Sequence, residues 1–102
     1  MHLVQLLLPL YDNEGHPFPR ARFDEVSSEL TSAFGGLTAY TRSPAEGLWR
    51  ERGAATKHDD IVVYEVMTER LDPTWWRAYR ERLEARFAQD TIVVRAQDTQ
   101  LL

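Results

Sequence analysis

The sequence predicts one α+β domain, in which a four-stranded antiparallel sheet carries two helices on one of its faces. Three observations support this prediction. Apolar runs and helical patterns alternate over the 102 residues in the order β-α-β-β-α-β. Two of the apolar runs are hydrophobic on both faces, as strands inside a sheet are. Both helical patterns carry one apolar stripe, so each helix buries one side.

The first strand is predicted at residues 2–11, where Pro9 argues against a helix and a cluster of turn residues ends the run. Successive side chains of a strand point to opposite faces of the sheet. One face is therefore wholly apolar and contains Val4, Leu6, Leu8 and Leu10. The other face contains Leu3, Gln5, Leu7 and Pro9.

The first helix is predicted at residues 19–34, because Pro19 suits a helix start and Gly35 suits a helix stop. Its apolar stripe consists of Phe23, Val26, Leu30, Ala33 and Phe34. The second strand follows at residues 37–42. Residues 43–60 are predicted to form an irregular insertion, with a small hairpin that turns near Gly53.

The third strand, residues 61–68 (IVVYEVMT), is apolar on both faces except at Glu65. The second helix is predicted to begin at Asp72 and Pro73, a capping residue followed by a proline, and to end near residue 89. Its apolar stripe consists of Trp76, Tyr79, Leu83 and Phe87. Residues 91–97 form the fourth strand, and residues 98–102 form a tail.

This order of elements is the split β-α-β plan of ferredoxin-like domains. Right-handed crossovers give the spatial strand order 4-1-3-2, so the two strands that are apolar on both faces lie in the middle. The helices cover one face only, and the other face would expose an apolar patch. We expect a second copy of the chain to cover that patch, because two-fold dimers are common. The predicted dimer interface consists of Leu3, Leu7, Ile61, Val63, Met67 and Val93.

A polar group is predicted within that open face. The alternation that places Val63 there also places Gln5, Glu65 and Arg95 there, and in the predicted order Gln5 lies between the other two. Together with Tyr40 and Trp49, these residues are the candidate ligand pocket. Two interpretations stay open at this point. The group either binds a ligand, or it only sets the register of a dimer interface.

Composition excludes several classes of function. The net charge of −4 argues against a protein that binds the phosphate backbone of nucleic acids. The chain has no cysteine, which excludes disulfides and thiolate metal sites. The sequence predicts no metal site, because the adjacent ligand types His58, Asp59 and Asp60 rarely converge on one ion. No cofactor is predicted. The apolar run 3–10 is too short to span a membrane, so we expect a cytoplasmic protein.

Four stretches resemble a family of small uncharacterised bacterial proteins of about this length. They are LLLPLYDNEG, FGGLTAYTR, AEGLW and DDIVVYEVM. More broadly, the chain is similar to the dimeric α+β barrel proteins, in which two ferredoxin-like sheets pack face to face. That resemblance implies a homodimer. It implies no particular reaction, because the relatives include monooxygenases, isomerases and sensors.

The sequence therefore leaves three functions open, one of which is an accessory protein that works only inside a larger complex. The first is a non-catalytic homodimer that binds a small molecule or a protein partner through the sheet. The second is a cofactor-independent enzyme of the α+β barrel kind, monooxygenase-like or isomerase-like. Its pocket would lie near the candidate residues, and Glu65 or His16 would carry the proton.

Overall fold

The computed structural model shows all six elements in the predicted order. It describes the backbone of residues 1–50 and 56–102, and the side chains of residues 1–41 and 60–102. The elements are β1 His2–Pro9, α1 Arg20–Phe34, β2 Thr38–Arg50, β3 Thr56–Thr68, α2 Pro73–Arg86 and β4 Val94–Asp98.

The four strands form one sheet in the order β2-β3-β1-β4, which is the predicted order 4-1-3-2 read from the opposite edge. β1 pairs with β3 on one side and with β4 on the other, and every pairing is antiparallel. The two central strands are thus the two that are apolar on both faces. The predicted ferredoxin-like α+β class is confirmed.

The hydrophobic core lies between the two helices and one face of the sheet. That face supplies Val4, Leu6, Leu8, Val62, Tyr64 and Val66, all 3% exposed or less. The helices and the segment that follows α2 supply Val26, Leu30, Trp76, Tyr79, Leu83, Phe87 and Ile92. The alternation predicted for β3 is confirmed, and that for β1 is confirmed as far as Leu8. Pro9, predicted on the open face, is buried, and Leu10, predicted in the core, is half-buried because β1 ends at Pro9. Ala33 departs from the predicted stripe of α1, since it lies on the exposed side of the helix.

Local chemistry explains where the helices begin and end. The Asp72 carboxylate accepts hydrogen bonds from the backbone N–H groups of Thr74 and Trp75, which otherwise lack a partner at a helix start. At the end of α1, Gly35 adopts φ +80° and donates its N–H to the carbonyl of Thr31. This left-handed conformation is costly for other residues. The two helix boundaries agree with the prediction to within three residues.

The long connection between the second and third predicted strands is more regular than expected. β2 continues to Arg50 and β3 begins at Thr56, so each strand has 13 residues. The pairing shifts register between Tyr40 and Ala45. Backbone pairing with a neighbouring strand supplies this regularity, which the polar composition of the segment did not indicate. The predicted turn near Gly53 lies outside the described residues.

Candidate functional site

The face of the sheet that points away from the helices carries the predicted interface residues. Met67 is 52% exposed and Val93 is 46% exposed. The other four predicted members, Leu3, Leu7, Ile61 and Val63, are half-buried. Large apolar side chains at this exposure form a patch, because five of them come from the neighbouring strands β1 and β3. The sixth, Val93, lies just before β4, and its carbonyl accepts the Leu7 N–H at 3.0 Å.

Three polar residues cross this face at one level of the sheet. Gln5 on β1 is the register partner of both Glu65 on β3 and Arg95 on β4. Its amide Nε2 donates to the Glu65 carboxylate at 2.7 Å, and its Oε1 accepts from the Arg95 Nε at 2.9 Å. The predicted contact of Gln5 with both neighbours is confirmed. Gln5 therefore relays a polar contact between a carboxylate and a guanidinium that lie two strands apart.

Tyr40 extends this row to β2, the edge strand on the other side of β3. Its hydroxyl donates to the second carboxylate oxygen of Glu65 at 3.2 Å. That hydrogen bond, together with the nearby negative charge, raises the pKa of the Tyr40 phenol. The phenol therefore stays protonated, and each oxygen of Glu65 receives one donor from its neighbours.

A groove of about 280 Å³ opens beside Glu65 at the end of the sheet where β2 begins. Its walls are mostly apolar or glycine, and its residues are Leu3, Phe34, Gly35, Gly36, Leu37, Thr38, Glu65 and Met67. The two glycines leave their side of the groove open, since no atom lies within 4 Å of where a Cβ would stand. Glu65 is the one acidic side chain among the residues that line it.

The structure brings together four of the five residues predicted for the pocket: Gln5, Tyr40, Glu65 and Arg95. Trp49 belongs to β2, but its side chain lies outside the described residues. His16 is not brought to this group, and its described contacts are with Asp12 and Glu14 in its own loop.

Sequence reasoning missed the wall formed by the glycine pair and Leu37. Gly35 ends α1, as the sequence predicts. The pair lies just before β2, whose first residue, Thr38, pairs with Glu65. That pairing joins distant parts of the chain, so the sequence carries no local signal for it. Among the described residues, no group of carboxylate and histidine side chains is arranged to hold a metal ion.

The fold resembles that of a phage SAM lyase. A solved structure of that enzyme in complex with S-methyl-5'-thioadenosine is similar to this chain, with a TM-score of 0.63. The similarity covers 95% of this chain and 80% of the lyase chain, at 13% sequence identity. At this identity the likeness shows a shared fold. No family model matches the sequence, and no match was found among curated proteins. Within the described residues, no helix is both long enough and apolar enough to cross a bilayer.

Proposed function

We propose that this protein binds a small molecule in the groove beside Glu65, and that a second copy of the chain packs against the same face of the sheet. The observation that carries this proposal is the row of hydrogen bonds that holds the Glu65 carboxylate at the groove. Preorganised polar groups in an otherwise apolar groove are typical of small-molecule sites.

The carboxylate determines what kind of group the ligand would present. An ionised carboxylate has about four acceptor positions, and Gln5 and Tyr40 use two of them. The remaining positions suit a ligand that donates hydrogen bonds or carries a positive charge. The apolar walls at Leu3 and Met67 suit a ligand body without charge.

The similar fold suggests a first ligand to test. The phage SAM lyase was solved with S-methyl-5'-thioadenosine, a nucleoside that combines ribose hydroxyls with an apolar thioether. Glutamate and aspartate side chains accept hydrogen bonds from ribose hydroxyls in dinucleotide sites, so such a ligand suits the groove chemically. A nucleoside thioether is therefore the ligand class that we propose.

Isothermal titration calorimetry with S-methyl-5'-thioadenosine tests this ligand class. We expect saturable binding by the natural chain. The Glu65→Gln variant should bind about tenfold more weakly, because it loses the charge while it keeps the shape of the side chain. The exposed Glu69, which lies just beyond β3, provides the matched control Glu69→Gln. Equal affinities for the natural chain and the Glu65 variant would contradict the proposal.

The dimer is supported by the apolar character of the open face. The side chains at Met67 and Val93 are about half exposed in the single chain, and burying them removes apolar area from water. Light scattering at micromolar concentration should give about twice the chain mass of 11.8 kDa. A monomer at that concentration would contradict the proposed dimer. The ligand site is tested separately, by calorimetry.

An enzyme is the second candidate function. Two observations favour it, namely that the Tyr40 phenol lies on the Glu65 carboxylate and that the similar structure is a lyase. Glu65 would then accept a proton or stabilise positive charge in the bound molecule. Incubation with S-adenosylmethionine, followed by chromatography, tests this candidate. Unchanged S-adenosylmethionine after prolonged incubation would argue for binding without turnover of this compound.

A further inference from the structure

A second groove lies on the opposite side of the sheet from Glu65, between α2 and the edge strand β4. It has a volume of about 180 Å³. Leu71, Trp76 and Val94 contribute apolar surface to it, and Val4 from β1 lies at its base. Trp76 is 6% exposed and stacks on Phe34 with ring centroids 5.0 Å apart, which fixes the indole in place. The groove is therefore built on the rigid core of the domain.

The charged residues around this groove are all arginines. Arg77 and Arg80 come from α2, and Arg95 comes from β4, although the Nε of Arg95 donates to Gln5 on the open face. Among the described residues that line the groove, none is an aspartate or a glutamate. The whole chain has a net charge of −4, so a groove whose charged lining residues are arginines differs in sign from the chain as a whole. The carboxylate of Glu84, which does not line the groove, lies 3.8 Å from the Nε of Arg80.

Arg80 has an unused hydrogen-bond donor. Its Nε is buried and has no hydrogen-bond partner among the described residues. The nearest carboxylate oxygen is Oε2 of Glu84 at 3.8 Å, which is too far for a hydrogen bond. That oxygen already accepts the backbone N–H of Ile92 at 2.9 Å. Buried donors in proteins are nearly always paired, and the Arg80 side chain is 39% exposed, so its guanidinium can donate to an acceptor from outside the described residues.

We infer that this groove binds a small organic anion, with its apolar body against Trp76 and Val94 and its carboxylate or phosphate at Arg77 and Arg80. A guanidinium suits this role, because its planar set of donors matches the oxygens of a carboxylate or phosphate. An apolar floor beside the cations selects an anion with a hydrocarbon or aromatic body over an inorganic ion. This site is independent of the function proposed for the Glu65 groove.

Nuclear magnetic resonance titration of the ¹⁵N-labelled full chain tests the inference with two matched probes. Benzoate and benzamide share a ring and a similar shape, but only benzoate is charged. We expect benzoate to shift the backbone signals of Val94 and Ala96 and the indole signal of Trp76 in a saturable manner. Benzamide should bind at least about fivefold more weakly, since it forms no charge-assisted hydrogen bonds.

Arginine variants locate the site. Arg80→Gln should weaken benzoate binding by at least about fivefold. The exposed Arg77→Gln provides a second variant, should the first fail to fold. Arg82→Gln is the control, because Arg82 lies on the same helix with its guanidinium over the Tyr79 ring and does not line the groove. Arg95 is left unchanged, since its Nε donates to Gln5 on the open face.

Three results would overturn the inference. The first is equal binding of benzoate and benzamide, which would make the groove a purely apolar depression. The second is an unchanged benzoate affinity in both the Arg80 and Arg77 variants. The third is the absence of saturable shifts at Val94, Ala96 and Trp76 at tens of millimolar benzoate. This third result includes a titration in which benzoate shifts only signals of the open face, such as that of Val63.

Discussion

The carboxylate of Glu29 on α1 accepts two hydrogen bonds from the guanidinium of Arg86 on α2, at 2.6 and 3.0 Å. The Tyr79 hydroxyl donates a third, at 2.9 Å. The side chain of Arg86 is 19% exposed and that of Glu29 is 32% exposed, so the pair is only partly screened by water. Its two parallel hydrogen bonds fix the spacing of the two helices over the covered face of the sheet.

Replacing Glu29 should therefore destabilise the domain. In Glu29→Ala, Arg86 and Tyr79 both lose their acceptor, and we expect a loss of about 1–2 kcal/mol, a value reduced for the partial exposure of the pair. The melting temperature should fall by about 4–8 °C per kcal/mol in a domain of this size. Thermal denaturation followed by circular dichroism measures this change.

Glu25→Ala is the matched control for that measurement. Glu25 lies on the same helix and approaches the same guanidinium, but at 3.4 Å and with 57% of its side chain exposed. Its removal should change the free energy of unfolding by less than about 0.5 kcal/mol. Equal losses in the two variants would show that Glu29 has no special role in holding the helices together.

The same pair predicts a pH dependence of stability. The hydrogen bonds from Arg86 lower the pKa of the Glu29 carboxyl in the folded state. A carboxyl whose folded pKa is depressed contributes stability above its unfolded pKa and loses it as the pH falls through the folded value. Urea denaturation should therefore show stability falling below about pH 4.5. In the Glu29→Gln variant, the free energy of unfolding should fall less steeply with decreasing pH. An unchanged slope would show that other carboxylates cause the loss of stability in acid.

The two adjacent glycines after α1 should respond differently to substitution. Gly35 adopts φ +80°, so Gly35→Ala should cost about 1 kcal/mol of backbone strain, although a Cβ there would meet no atom within 4 Å. Gly36 lacks a positive φ of this kind and has the same open space. Gly36→Ala should thus be neutral or stabilise the domain by up to about 1 kcal/mol, because alanine lowers the conformational entropy of the unfolded chain. Chemical denaturation of both variants checks the contrast, and equal effects would contradict it.

The proposed dimer predicts the effect of a charge at Val63. This half-buried residue lies on β3, opposite Tyr40 and Leu7, and Val63→Glu would place a charge in the proposed apolar interface. We expect the variant to become monomeric or to melt at a lower temperature. Ser32→Glu on the exposed side of α1 is the control. An unchanged mass and melting temperature of the Val63 variant would show that the copies meet through another surface.

The row of polar residues on the open face shows how far sequence reasoning reached. The alternation of the strands, with the crossover rule, placed Gln5 on the same face as Glu65 and Arg95 and on the strand between theirs. The register that brings the three side chains into contact came from the structure. A shift of one residue would turn the apolar face of β1 to the outside, but a shift of two residues would not, so alternation alone does not set the register. The binding role of this row stays a prediction.

The features that sequence reasoning missed depend on distant backbone. The strand character of residues 43–50 comes from pairing with β3, which the polar side chains of that segment do not indicate. The groove at Gly35 and Gly36 forms because the segment that follows α1 lies next to Glu65 and Met67 of β3. Neither relation involves neighbours in the sequence, so no local pattern reports it.

The sequence by itself determined the order of the elements, the strand order and the residues on each face of the sheet, because side-chain alternation and hydrophobic burial act over a few residues. Only the tertiary structure decided the shapes of the two grooves, the pairing of Glu29 with Arg86 and the unpaired Arg80 donor. These features depend on how side chains from separate elements meet in space. Packing and hydrogen bonds between residues that are distant in the sequence set those contacts.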